Sequence, residues 1–200
     1  MMVKVLIFLF SMNVMAPLNW IATSADERAT FLKSFEVKSK ATKSLQSNYV
    51  QEKHMKQLKA PLVSSGVFYF SEPLNIRWEQ LIPVSNVIVL TEDSVMIKGK
   101  DKTTLNAVHS NPFYGQLQKM MNGIINGSIL ESKDFQMELL KSDTQFLARL
   151  IPQSRRLKKA MKKIELVFNH NTLHLESMAI YDKSGDYSIC LLYTSPSPRD

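Results

Sequence analysis

Cysteine is all but missing: the 200-residue chain has one, Cys190. A disulfide framework is excluded, and so is a zinc site built from several cysteines. Glycine is scarce as well, and none is grouped into a loop of the kind that cradles phosphate. Only four histidines occur. His170 and His174 are four apart but flank a turn, and a metal site would need more ligands, so they read as surface residues. Ser64-Ser65-Gly66 reads as a turn, not as a nucleophile elbow. The acidic residues occur singly, with no evident acid and base pair. Together these absences give catalysis little support: the chain is expected not to be an enzyme and to need no cofactor. The net charge of +7 is a mild basic excess, compatible with anionic partners but not implying nucleic acid.

The two ends stand apart from the body. Val5–Phe10 is unbroken apolar sequence after a lone Lys4, and Ala22-Thr23-Ser24-Ala25 offers small residues for a signal peptidase. Residues 1–24 read as a secretory signal peptide, cleaved near Ser24 or Ala25, which predicts export. The alternative is an uncleaved N-terminal anchor, against which Asn13, Pro17 and Asn19 interrupt the run. No cysteine lies near the cleavage region, so the lipid-attachment site of a bacterial lipoprotein is missing. At the other end, Cys190–Asp200 reads CLLYTSPSPRD, residue for residue the translation of a transposase-type sequencing adapter. It is taken as an artefact on a truncated gene, which would cut the last strand at Ile189 and leave the domain at 25–189, without a natural cysteine. An exported body without disulfides must be held by its core.

Within the body, Ala25 to about Lys43 predicts a helix capped by Asp26, with Phe31, Leu32 and Phe35 at helical spacing. Leu45–Met55 alternates loosely, and Leu58–Gly66 reads as a turn region. Gly66–Pro83, Asn86–Leu90 and Ser94–Lys98 read as short strands with hairpin-length links, an antiparallel meander. Asn111-Pro112 opens a second helix, with Gly127 as its stop. Strands at Phe135–Leu140, Phe146–Ile151, Ile164–Phe168 and Leu173–Tyr181 follow, with a helical turn near Ser154–Lys159. The order predicts an α+β domain, a single curved antiparallel sheet with a helix or two against it. Arg155–Lys163, RRLKKAMKK, is the strongest charge feature. It reads either as a solvated connection or as a contact for anionic lipid or an acidic partner.

The positive signal is apolar bulk. In GVFYFSEPLNIRWEQLIP, Phe68 and Phe70 share one strand face, and Ile76 and Trp78 share a face of the next strand, opposite Arg77 and Glu79. Four large aromatics fall within eleven residues, where a water-facing sheet would show one polar face. A sheet curled round a helix would turn such residues into a cavity lining, and the body's seven methionines suit a pocket for variable apolar shapes. A solid core would use the same residues. Strand parity leaves open which face is which.

These residues resemble a known family. Tyr49-Val-Gln-Glu-Lys53, Pro61-Leu-Val-Ser-Ser-Gly66, GVFYF, Pro73-Leu-Asn-Ile-Arg77-Trp78-Glu79 and Pro83 are similar to the LolA family of periplasmic lipoprotein carriers, in its Bacteroidetes-type branch. Asn111-Pro112-Phe113, Leu150-Ile-Pro152, Ile164-Glu-Leu-Val-Phe168 and Gly185-Asp186 continue the likeness over nearly the whole body. The resemblance implies an incomplete β-barrel whose open, concave side is covered by helices. It implies a monomeric carrier that takes the acyl chains of lipoproteins from an inner-membrane ABC-type exporter to an outer-membrane acceptor across the periplasm. On that basis Tyr49, Phe68, Phe70, Ile76, Trp78, Ile88 and Leu90 are the expected cavity lining. The helix from Pro112 to Asn126 is the expected lid, filling the empty cavity through Phe113, Leu117, Met120, Met121 and Ile124. The best-known members carry a functional arginine directly before the proline that corresponds to Pro73. Here Glu72 holds that place, and Arg77 is the candidate lid or partner contact.

Overall fold

The computed structural model describes residues 19–99, 102–107 and 112–194. Most of residues 1–24 and the tail from 195 onward therefore lie outside the described residues. Alternating strands dominate what is described. Twelve strands form one antiparallel sheet in the order β1-β8-β9-β10-β11-β12-β2-β3-β4-β5-β6-β7. Among the described residues β1 and β7 remain its two edges, so the sheet curves without closing into a barrel.

The sheet is two meanders joined by one seam. β2 (Ser44–His54), β3 (Leu62–Ser71), β4 (Asn75–Ile82), β5 (Asn86–Leu90), β6 (Ser94–Lys98) and β7 (Thr103–Ala107) form the first. β8 (Phe135–Lys141), β9 (Gln145–Pro152), β10 (Met161–Asn169), β11 (Leu175–Asp182) and β12 (Tyr187–Thr194) form the second. β12 lies along β2, with Leu192 opposite Tyr49 and Cys190 opposite Gln51. The last strand thus runs on past Ile189, the limit expected from the sequence. The physical reason is that Cys190-Leu-Leu-Tyr-Thr keeps the strand's alternation, with Cys190 buried and Leu191 exposed. Ile21–Ala22, the short β1, pairs with the end of β8.

Helix α1 (Ala25–Ala41) begins at Ser24 and not at the expected cap Asp26. The Glu27 amide donates to Ser24 Oγ (3.2 Å) and the Ser24 amide donates back to Glu27 Oε2 (2.8 Å), a capping box that uses both orphan donors. Asp26 and Glu27 in the first turn and Lys38 and Lys40 in the last complement the helix dipole. The buried side of α1 is Phe31 and Phe35, which pack on Phe168 of β10 at 5.6 and 5.0 Å between ring centroids. Helix α2 (Pro112–Ile125) starts at Pro112. Beyond its end Gly127 takes φ +79°, and a Cβ there would come within 2.7 Å of the Phe35 ring. A 3₁₀ turn (Ser128–Glu131) follows, and helix α3 (Arg155–Ala160), capped by Ser154, links β9 to β10.

Further elements depart from the sequence reading. Leu62–Ser65 belongs to β3 and not to a turn, because it pairs with Lys53–Val50 of β2. β7 and the 3₁₀ turn were not foreseen, since Thr103–Ala107 has only Leu105 as a bulky apolar residue and that side chain faces solvent.

Candidate functional site

One face of the sheet gathers most of its buried apolar side chains. Register fixes it. Phe68 stands opposite Trp78 and Phe70 opposite Ile76; Trp78 in turn faces Ile88, and Ile76 faces Leu90. Ile88 then meets Ile97, and Leu90 meets Val95. Six of the seven residues expected to line a cavity therefore share this inner face, and Tyr49, opposite Gly66 of β3, is the seventh. Tyr69, Arg77 and Val89 follow the same ladder on the outer face.

Two buried clusters divide the inner face. The first joins Phe31 and Phe35 of α1 to Met137, Leu150, Leu166 and Phe168 of β8 to β10. The second gathers Tyr49, Phe68, Phe70, Ile76 and Leu90 with Leu74, Val95 and Cys190. α2 lies across the boundary between the two. Ile124 and Met120 pack into the first cluster, and Met121 and Ile125 into the second. The described lid residues thus split between two neighbours, as expected of positions three and four apart on one helical stripe. Phe113 and Leu117 lie on α2, but their side chains are outside the described residues.

Aromatic geometry shapes the second cluster. The Tyr49 and Trp78 ring centroids are 5.0 Å apart and those of Phe68 and Trp78 5.4 Å, both steeply inclined. The Tyr49 hydroxyl is buried and, among the described residues, has no hydrogen-bond partner. Burial raises its phenol above the ordinary range, against the opposing pull of the nearby Trp78 indole. An orphan hydroxyl at the centre of an apolar face is costly in the empty protein.

α2 is also held by a polar contact that the sequence did not signal. Gln118 Nε2 donates to the backbone carbonyls of Thr91 (2.7 Å) and Glu92 (2.8 Å), at the turn between β5 and β6. Arg77 makes no such contact. Strand parity puts it on the outer face, where its guanidinium donates to Glu79 Oε2 at 2.9 and 3.1 Å. Among the described residues it is Gln118, and not Arg77, that joins α2 to the sheet's turns. Leu74, Val95, Ile97 and Ile125 also complete the inner cluster. The alternation of SVMIK could have found Val95 and Ile97; Leu74 and Gln118 had no pattern to betray them.

Elsewhere the outer face carries charge and clefts. Arg149 bridges Glu165 (2.8 Å) and Glu138 (3.3 Å), and Lys163 reaches Glu165 at 2.7 Å while standing 4.2 Å over the Tyr181 ring. A cleft of about 690 Å³ opens beside the β4–β5 turn, lined by Arg77, Glu79, Val87, Met96 and Lys98. A second, of about 490 Å³, lies by Gln46, Tyr69 and Val89. Among the described residues no group of three or more His, Cys, Asp or Glu is placed to hold a metal ion, and no helix is long and apolar enough to cross a membrane.

Comparison with known proteins bears on this arrangement. The profile of the family described as "Outer membrane lipoprotein carrier protein LolA" matches residues 40–195. No curated protein matches. Among solved structures, a LolA superfamily protein from Nitrosomonas europaea is 14% identical, with TM-score 0.43, over 85% of this chain and 94% of that one. Lipoprotein LppX from Mycobacterium tuberculosis is 9% identical, with TM-score 0.44, over 86% and 99%. A chain of the MucA/MucB complex from Pseudomonas aeruginosa is 12% identical, with TM-score 0.49, over 86% and 59%.

Proposed function

The chain belongs to the LolA family, and from that premise we propose that it is a periplasmic carrier for the acyl chains of lipoproteins, moving them between the inner and outer membranes without bond-making chemistry. The observation that carries the reading is the second inner-face cluster. Its aromatic floor is covered by a helix and not by another strand. α2 contributes Met121 and Ile125 to that cluster and adds the two Gln118 hydrogen bonds. An acyl chain entering the same space would replace these side chains. Each CH₂ buried is worth about 0.8 kcal/mol, so a long chain gains on the order of 10 kcal/mol, and the displaced helix offsets part of it. The offset keeps release possible. An ABC-type exporter would load the carrier, and an outer-membrane acceptor would unload it.

The test separates a carrier from a solid core through opposite signs. Met121→Ala and Ile125→Ala remove apolar atoms that plug the cluster. Unfolding should become easier, by about 2–4 kcal/mol for Met121→Ala. An apolar fluorescent probe should bind the same variant tighter than the parent, by about tenfold. A probe that binds neither protein would sink the carrier reading. Mass spectrometry of what co-purifies with the protein from its own periplasm identifies the cargo: acylated lipoproteins are expected, and free lipids alone would redirect the proposal to a carrier of another lipid.

A further inference from the structure

The carrier reading leaves the basic run unused. In the fold it occupies α3 and the start of β10. Leu157 alone anchors α3 in the interior, while Arg155, Arg156, Lys158, Lys159 and Lys162 are exposed. Among the described residues no carboxylate pairs with any of the five. Lys163, one residue further on, does pair, with Glu165.

Register shows what shares that end of the sheet. Met161 is opposite Asp182, Tyr187 opposite His54, Lys53 opposite Leu62, and Ser65 opposite Ile82. β10, β11, β12, β2, β3 and β4 thus all reach one rim. At strand spacings of about 4.8 Å, α3 and the end of β4 stand roughly 25 Å apart along it. Lys183 in the β11–β12 turn and Lys56 and Lys59 after β2 are exposed in between. The acids of that turn are engaged: Asp182 accepts from Ser184, Gly185 and Asp186, and Asp186 accepts from the Lys56 amide.

The far side of the rim is aliphatic. Leu62, Leu81, Ile82 and Val84 are 54%, 51%, 61% and 56% exposed, far above the usual state of such side chains. A β-bulge explains part of this. Ser65 pairs with Ile82 but Gly66 pairs with Gln80, so Leu81 is an extra residue without a partner on β3.

We propose that this rim docks the protein on an anionic bilayer, with the α3 cations on the headgroups and the β3–β4 aliphatic tips at the acyl boundary. Cations and exposed aliphatic side chains collected at one end of the sheet form the pattern of an interfacial surface. An acidic protein would use the cations but leave Leu81 and Ile82 in water. None of these residues belongs to the inner-face clusters, so the inference stands whether or not the protein carries acyl chains.

The test is flotation of the full chain with phosphatidylcholine vesicles holding increasing phosphatidylglycerol. Binding should rise with the anionic fraction and fall with salt. Each surface cation contributes roughly fivefold to partitioning, so Arg155→Glu/Arg156→Glu/Lys158→Glu should weaken it about a hundredfold. Arg28→Glu/Lys33→Glu/Lys40→Glu on α1 changes the net charge equally and should cost far less. Leu81→Ser/Ile82→Ser should abolish the part that survives high salt. Ile82→Trp, in an otherwise intact rim, should be quenched by brominated acyl chains, which reads insertion directly. Equal loss from the two charge-reversed triples, no quenching at Ile82→Trp, or α3-dependent binding to polyglutamate without binding to vesicles would each overturn the proposal. Probe binding to the inner face, measured on the same variants, should not change.

Discussion

Tyr49→Phe should make the empty protein more stable. Most core substitutions destabilise, so the sign is the informative part. Tyr49 is 1% exposed, and among the described residues its hydroxyl neither donates nor accepts. A buried hydroxyl without a partner costs about 1–3 kcal/mol of desolvation that folding never recovers. Phenylalanine keeps the ring, its contact with Trp78 at 5.0 Å and almost all of the volume, so no cavity term opposes the gain. The expected stabilisation is about 1 kcal/mol, or a rise in Tm of roughly 2–4 °C for a chain of this size. Urea unfolding should show a higher midpoint at constant slope. A lower midpoint for Tyr49→Phe would mean that the Tyr49 hydroxyl is satisfied, and the argument would fail. On the carrier reading the same variant should also lose affinity for a diacylglycerol probe relative to a plain alkyl one, because an ester carbonyl could accept from that hydroxyl.

Four further outcomes can be measured. Gly66→Ala should cost about 3 kcal/mol or prevent folding, read by urea unfolding, since its Cβ would lie 1.8 Å from the Glu79 carbonyl oxygen and only a backbone shift could relieve it. Gln118→Ala should speed uptake of an apolar probe in stopped-flow fluorescence with little change in global stability, because it frees α2 from the Thr91 and Glu92 carbonyls. At Glu165, burial alone would raise the carboxyl, but hydrogen bonds from Lys163 and Arg149 outweigh it and hold the group below 4.5. Its stability contribution is therefore complete above about pH 4.5 and lost as pH falls through the folded value, so stability curves of parent and Glu165→Gln should converge in acid and separate towards neutrality. Burial pushes the Cys190 thiol up to about 12, so a thiol reagent at pH 8 should label the folded protein slowly and the urea-unfolded chain at once. Fast labelling of folded protein would mean that β12 is not seated between β11 and β2.

Much of the fold was legible because the strands carry their own period. Phe68, Phe70, Ile76 and Trp78 alternate with Tyr69, Arg77 and Glu79, and that parity alone fixed which residues travel together. Helix α2 announced itself through Pro112 and an apolar stripe. What failed was local chemistry that depends on distant pairing. Leu62–Ser65 looked like a turn because serines and a proline precede a glycine, yet β2 supplies the partners that make it strand. Asp26 looked like a cap, but the geometry went to Ser24, two residues earlier, where Glu27 could answer it. Gln118 could not have been found, since a glutamine becomes a tie only when the fold brings two free carbonyls to it.

The division of the inner face into two clusters also bears on which half can open. Both are floored by the same sheet, but they are closed by unlike helices. α1 presses two phenyl rings against Phe146 and Phe168, is capped through Ser24 and Glu27, and is tied to β8 by the ion pair of Glu27 with Lys141. Lifting it would break aromatic packing, a cap and an ion pair together. Among its described side chains, α2 gives the second cluster Met121 and Ile125, the first Met120 and Ile124, and the sheet two hydrogen bonds to turn carbonyls that water could replace. Flexible thioether and aliphatic side chains exchange for an acyl chain with little loss of shape complementarity, whereas stacked rings do not. On the carrier reading, the half under α1 would serve as the fixed frame, and the half floored by Tyr49, Phe68 and Trp78 is where a lipid-sized guest would cost the fold least.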